Sequence, residues 1–242
     1  MQLYNKPPTK YLPAMKTDRR PYRRESEETR REALIAATQA LMAEGGSAAA
    51  TVRAIADRAG VTPGLIRHYF GSKDDLSRAA YRALMDGMTD KGSDALEGVG
   101  AAPEERLAAF VAASLRPPVV DTRAVGLWAG YLHHVQTDPA LLALHESGYL
   151  RYRNMLQSLI AQIDRPDVST DRLRQDAIAC NAVIDGLWLE GGVLPQGFSP
   201  GELVRIGLTS VGAILGVDLM AHGTFISEIS MGQKTGPERT QA

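Results

Sequence analysis

The sequence predicts an all-α protein, with an N-terminal three-helix unit built on a helix-turn-helix and a larger C-terminal helical unit. Two observations predict it. Ala and Leu recur at helical spacing along most of the 242 residues, whereas alternating apolar and polar runs are scarce. Hydrophobic content of 44% and charged content of 23% are globular values, and the chain is long enough to bury a substantial core. The formal net charge of −1 conceals an asymmetry: residues 1–78 carry 14 Lys plus Arg against 9 Asp plus Glu, and the remainder carries 13 against 19. Positive charge at one end only is the footprint expected of a protein that meets nucleic acid there.

Residues 1–24 read as a flexible basic arm. Lys6, Lys10, Lys16, Arg19, Arg20, Arg23 and Arg24 face Asp18 alone, and Pro7, Pro8, Pro13 and Pro21 prevent a helix. The arm either adds phosphate or minor-groove contacts or is a solvated extension. A first helix is expected over residues 26–44, with Ile35, Ala37, Thr38, Leu41 and Met42 inward and Glu27, Glu28, Arg30 and Arg31 outward; Gly45 and Gly46 end it.

The stretch that organises the rest is residues 51–76, TVRAIADRAGVTPGLIRHYFGSKDDL. Thr51 N-caps a helix whose Val52, Ile55, Ala56 and Ala59 share an apolar face, and Gly60 ends it. Thr62 restarts the chain as an N-cap with Pro63 at the first helical position. In the second helix Leu65, Ile66 and Phe70 face inward, leaving Thr62, Gly64, Arg67, His68 and Tyr69 on a polar, basic and aromatic face. Ser72 and Asp75 form a capping box that opens the next helix. Two helices joined by a tight Gly-containing turn are the unit that presents its second helix to the major groove. Arg67 suits a guanine edge, Thr62 and Tyr69 suit phosphate oxygens or a thymine methyl, and Lys73 suits a phosphate. Gly64 allows close backbone approach.

Thr51, Arg53, the A-G-V of 59–61 and the run H-Y-F-x-S-K-D-D-L at 68–76 resemble the DNA-binding domain of the TetR family of dimeric repressors, over roughly residues 29–78. Carried over by position, the resemblance implies DNA contacts at Thr51, Arg53, Thr62, Pro63, Gly64, Arg67, His68, Tyr69 and Lys73. The expected DNA-binding domain is residues 25–78.

A fourth helix is expected from residue 73 to about 88, burying Leu76, Ala80, Ala83, Leu84 and Gly87, and it is the connector to the C-terminal unit. Gly92, Gly98, Gly100 and Pro103 mark a joint. Pro103 opens a helix over 104–115 that Pro117 and Pro118 close. Asp121 caps another over 122–135 carrying Val125, Trp128, Ala129 and Leu132. Asp138 and Pro139 start a long helix to about residue 163. The last two helices, over 170–190 and from about 202 onward, have wide apolar faces with small residues and suit a four-helix bundle made with a second copy. Residues 79–217 are therefore expected to bind an effector and to dimerise, and 218–242 to form a flexible tail.

A-V-x-x-W-x-x-Y at 124–131 and A-V-I-D-G-L-W-L at 182–189 are similar to the regulatory domain of the BetI type, choline-responsive repressors within the same family. Asn181, Asp185 and Trp188 lie one turn apart along one helix; with Trp128 and Tyr131 they form either a cage for a cationic ligand or ordinary core and dimer packing. A ligand-responsive homodimeric repressor is the expected function, its partners a palindromic double-stranded operator and a small-molecule effector. The alternatives are an activator of the same fold with an unrelated effector and, more remotely, an all-α enzyme.

Other classes find little support. His133 and His134 are adjacent, pointing about 100° apart on a helix, and His145 is isolated, so no metal site is expected. No nucleophile elbow, phosphate loop or zinc-protease motif is present, so neither an enzyme nor a cofactor is expected. No apolar run reaches membrane-spanning length, the N-terminus lacks an apolar signal core, and Cys180 is the single cysteine. A cytoplasmic protein is expected.

Overall fold

The computed structural model describes residues 27–222, and within them every regular element is an α-helix: α1 (Glu27–Ala49), α2 (Val52–Ala59), α3 (Gly64–Phe70), α4 (Lys73–Asp94), α5 (Pro103–Ser114), α6 (Thr122–Val135), α7 (Pro139–Ile160), α8 (Thr170–Val193) and α9 (Glu202–Leu215). Among them no helix is long and apolar enough to cross a membrane. The basic arm, and the tail beyond residue 222, lie outside the described residues.

Local chemistry accounts for most helix starts. Thr51, Ser72, Asp121, Asp138 and Ser169 each accept a backbone N–H with the side chain, satisfying a donor the helix cannot. Gly45 and Gly46 leave helical geometry (φ −152°, ψ 20° and φ 65°, ψ −162°), so the regular part of α1 stops at the expected pair and a single further turn follows. One start differs from expectation. Thr62 does not cap α3 with its hydroxyl; Pro63 is the capping position, and the first turn is closed by the Leu65 N–H on the Thr62 carbonyl and the Ile66 N–H on the Pro63 carbonyl. At α9 the cap is Gly201 in the left-handed region, with Glu202 reaching back to accept from the Ser199 amide.

Helix ends and faces depend on neighbours. α4 continues to Asp94 and buries Leu76, Ala80, Tyr81, Met85, Thr89 and Gly92, whereas Ala83, Leu84 and Gly87 are only half-buried. Gly92 is not a joint: a Cβ there would sit 2.5 Å from the fully buried Phe110 ring, so its bareness lets α4 and α5 touch. α8 likewise runs through Gly191 and Gly192 because both press against neighbouring side chains. In α1 Leu34 is fully buried while Ile35 packs only partly buried against the same core; in α6 Ala129 is exposed while Leu127 and Tyr131 are buried; in α2 Val52 is 38% exposed.

The helices enclose two apolar cores. One is built on α5, every residue of which from Leu107 to Ser114 is buried, with α7, α8 and α9 around it; Leu219, just past α9, belongs to it. The other starts in α1–α4 and continues into α6 and the beginning of α7 through Leu127, Tyr131, Val135 and Leu141. Trp128 packs against both. Asp176, 3% exposed, is held between Arg165 (2.6 Å) and Arg172 (2.7 Å), which keep its carboxyl below the usual range despite burial.

Substituting Gly92→Ala is expected to cost about 1–3 kcal/mol of stability, because Phe110 has no room to retreat. Urea unfolding measures it; a midpoint equal to that of the unsubstituted protein would contradict the packing described.

Candidate nucleic-acid interface and ligand cavity

α3 is anchored from below and bare above. Ile66 is buried against α1 and α2 residues, and at the far end Arg31 donates to the Tyr69 carbonyl at 2.6 Å while its guanidinium lies 4.5 Å over the Phe70 ring. Arg31, expected to point outward, therefore satisfies one carbonyl orphaned at the helix end and fixes the direction of α3. Arg58 ties α2 to α1 through Glu44 with two bonds of 2.6 and 2.8 Å, a pairing that lowers the Glu44 carboxyl.

On the other side Thr62, Pro63, Gly64, Arg67 and His68 are all exposed. Gly64, Arg67 and His68, spaced i, i+3 and i+4, share one face of α3. Thr51 is exposed above its capping bond to Ala54, the Arg53 side chain is 90% exposed, and Lys73 is half-buried at the start of α4. Tyr69 is half-buried and meets His68 edge-on at 4.9 Å. Gly64 is informative: its φ is not left-handed and a Cβ would meet nothing within 4 Å, so nothing inside the protein requires glycine there.

The second site is a cavity of about 100 Å³ between α4, α5, α6, α7 and α8. Trp128, Asn181, Asp185 and Trp188 line it, as the sequence reading has it. Tyr131 does not. It is 1% exposed, turned toward α4, packed with its ring tilted 39° against Tyr81 at 4.7 Å, and donates its hydroxyl to the Ser77 carbonyl at 3.0 Å. Two tyrosines not among the expected cage residues stand in the lining instead, Tyr149 and Tyr152, with Met85, Met88 and Thr89 of α4. Their i, i+3 spacing on α7 was available as a signal, but nothing in one helix's pattern says which neighbour they meet.

The two indoles meet edge to face, with centroids 5.7 Å apart and planes at 87°, and Trp188 is fixed by its N–H on the Val119 carbonyl at 2.9 Å. Tyr152 donates to Ser114 at 2.7 Å, and Ser114 in turn donates to the Phe110 carbonyl at 2.9 Å. Asn181 donates to the Tyr149 hydroxyl (2.8 Å) and to Asp185 (2.7 Å). Asp185 is the sole charged residue in the lining. Burial raises its pKa, against the opposing hydrogen bonds from Tyr149 and Asn181. Tyr149 and Leu189, the exposed members of the lining, mark the mouth. One half-buried carboxylate among aromatic faces can attract a small cation.

α8 also carries a wet apolar stripe of Ile178, Leu189, Val193 and, just past its end, Leu194, the last two 56% exposed. His133 and His134 lie together on α6, and among the described residues no group of three or more metal-ligating side chains is present.

A bare basic helix after a tight turn, joined to a core that holds a ligand-sized cavity, defines a one-component DNA-binding regulator. Residues 34–80 match the family described as bacterial regulatory proteins, tetR family, and residues 103–216 match the BetI-type transcriptional repressor, C-terminal. HTH-type transcriptional regulator BetI 2 of Chromohalobacter salexigens is 34% identical over 73% of this chain and 84% of its own. BetI of Stenotrophomonas maltophilia is 31% identical over 74% and 90%. The crystal structure of a putative transcriptional regulator from Pseudomonas aeruginosa PAO1 superposes with a TM-score of 0.69 at 29% identity, covering 82% of this chain and 96% of that one. A regulator from Saccharomonospora viridis, solved in complex with choline, shares the fold at 20% identity, with a TM-score of 0.60 over 78% of this chain and 97% of that one. The chain belongs to the TetR family and is a BetI-type transcriptional regulator, a class whose members bind DNA and a small effector, act as dimers and are not enzymes.

The raised pKa of Asp185 sets a sign for stability. A carboxyl whose folded pKa lies above its unfolded value releases its proton later in the folded state, so stability is lost as pH rises from the unfolded value through the folded one. Asp185→Asn is therefore expected to raise the unfolding midpoint of the ligand-free protein at pH 7, by a margin that shrinks toward pH 4. Thermal melts at both pH values check this; a variant less stable at pH 7 than at pH 4, relative to the unsubstituted protein, contradicts it.

Proposed function

We propose that the protein is a cytoplasmic homodimeric repressor whose two α3 helices enter successive major grooves of a palindromic operator, released by a small cation bound beside Asp185. The observation that carries this reading is the pairing of an exposed α3 face, Gly64, Arg67 and His68, with a cavity holding one carboxylate among two tryptophans and two tyrosines. Residues 25–78 serve the operator and residues 79–217 serve the effector and the second copy. Thr51, Arg53, Thr62, Pro63, Tyr69 and Lys73 complete the DNA contacts, positioning the reading helix through phosphates while Arg67 reads a base edge. The apolar stripe of α8 docks on its partner with α9. That docking sets the α3 separation, which for two half-sites in successive grooves is about 34–36 Å.

The choline complex of the Saccharomonospora viridis regulator supports a quaternary ammonium effector, in keeping with the choline-responsive repressors that residues 124–131 and 182–189 resemble. A quaternary ammonium has no N–H to satisfy, so aromatic faces and one carboxylate suffice; each ring contact is worth roughly 1–2 kcal/mol when desolvated. Binding favours a different α3 separation and weakens DNA through α4, a coupling of about 1–3 kcal/mol.

Mobility shift on the DNA upstream of the gene, repeated with choline and betaine aldehyde, tests both halves: a retarded band that either ligand releases is expected, and calorimetry showing no heat with either ends the cationic reading. Arg67→Ala is expected to cost about 1–3 kcal/mol of operator affinity and relax preference at one base pair, whereas Lys73→Ala weakens all sequences alike. An Arg67→Ala protein with unchanged affinity and preference would show that α3 is not the reading helix. Gly64→Ala is expected to stabilise the fold by about 0.5–1 kcal/mol, since alanine is the better helix former and its Cβ is unobstructed, while weakening operator binding. Stability from urea unfolding and affinity from anisotropy must move in opposite directions; a gain in both contradicts close approach at Gly64.

A further inference from the structure

α4 belongs to both sites. It begins at Lys73 beside α3 and, about three turns on, walls the cavity with Met85, Met88 and Thr89. It is joined to α7 at three heights. The outer joints are ion pairs near the surface: Arg78 with Asp138 at 3.0 Å, and Arg151 with Asp86 at 2.9 Å and Asp90 at 2.6 Å. Pairs this exposed are compliant and weakened by salt. The middle joint is of another kind. Tyr81, fully buried, has its hydroxyl 2.7 Å from Nδ1 of His145. One turn further along α7, Gly148 lets the backbone press on α4, where a Cβ would stand 2.9 Å from that of Met85.

We propose that Tyr81 and His145 are positioning residues that carry effector occupancy from the cavity to the start of α4. Each step of the relay is a contact. At the cavity end Asn181 holds the Tyr149 hydroxyl and Asp185 together. The Tyr149 ring stacks on His145, with centroids 6.2 Å apart and planes at 25°, and His145 stacks on and bonds to Tyr81. Tyr81 leans on Tyr131 at 4.7 Å, and Tyr131 bonds to the Ser77 carbonyl and accepts from the Ser77 hydroxyl at 3.2 Å, one turn from Lys73. A cation drawn to Asp185 competes for the carboxylate that holds Asn181 and Tyr149. Tyr149 is 37% exposed and has room to move, while Tyr81 and Tyr131 are enclosed and must move with α4 or not at all. The relay rests on reading the cavity as a cation site.

Contact between side chains does not by itself couple two sites, so the test measures coupling. Tyr81→Phe removes the hydroxyl and keeps the ring; His145→Phe removes the other partner; the double variant closes a cycle. Operator DNA selected from a random duplex pool is titrated with full-length protein with and without saturating choline, and the choline Kd is taken by calorimetry. All variants are expected to bind choline and DNA within about twofold of the unsubstituted protein. Choline, which lowers operator affinity of that protein by about 5- to 150-fold, is expected to change theirs by less than about twofold, with the double variant no worse than either single one. Undiminished coupling in Tyr81→Phe overturns the proposal and assigns the signal to direct pressure on Met85 and Met88. Loss of choline binding in the variants also overturns it, because the pair then shapes the cavity. No heat from choline with the unsubstituted protein fells the cation reading and the relay with it, and calorimetry separates that outcome from a failed relay. Should His145→Phe not fold, Tyr81→Phe alone decides.

Discussion

The structure depends on one constraint: a single helix, α4, is packed into two cores at once. Its first turns, with Leu76 and Tyr81, are buried with α1–α3; further on Thr89 lines the cavity and Gly92 meets Phe110 of α5. A rigid rod shared by two packed bodies cannot shift at one end without the other registering it. Trp128 and Tyr131, spaced i, i+3 on α6, repeat the pattern, the first touching the cavity and the second gripping the start of α4. The apolar interior thus runs across the junction of the two family-matched regions, from α1–α4 into α6 and α7.

The cavity is held in a costly state. Asp185 is a carboxylate that burial disfavours, steadied by Asn181 and by a tyrosine at the mouth. The neighbouring polar groups are occupied with one another: Tyr152 with Ser114, Ser114 with Phe110, Trp188 with Val119. What remains available is negative charge, the Asn181 Oδ1, buried without a partner among the described residues, and aromatic surface, all of which suit a cation better than an anion. At Gly64 the fold leaves room for a larger residue: its backbone is not left-handed and a Cβ would meet nothing within 4 Å.

Helix starts were legible in the sequence because their chemistry is local. Thr51, Ser72, Asp121 and Asp138 cap as the spacing implies, and the exposure of Thr62, Gly64, Arg67 and His68 follows from the period of α3. Helix ends were less so, because glycine has two uses that look alike in one dimension. At Gly60 it frees a left-handed exit, whereas at Gly92, Gly191 and Gly192 it makes room for a neighbour inside a continuing helix. The cavity was half legible. Asn181, Asp185 and Trp188 lie along one helix and their common direction is periodic; Tyr131 was misplaced and Tyr149 missed because α6 and α7 each face two cores, and the register between helices is a tertiary property. Arg31 was placed outward for a related reason, since an arginine stem packs on an aromatic ring as readily as it enters water.

The most direct measurement of linked sites is reciprocal: the affinity of choline for the free dimer and for the operator-bound dimer, by calorimetry at one salt concentration. Linkage through α4 requires the bound dimer to hold choline about 5- to 150-fold more weakly, by the same factor with which choline weakens the operator. Equal choline affinities in the two states would mean that the cavity and the reading helix do not communicate.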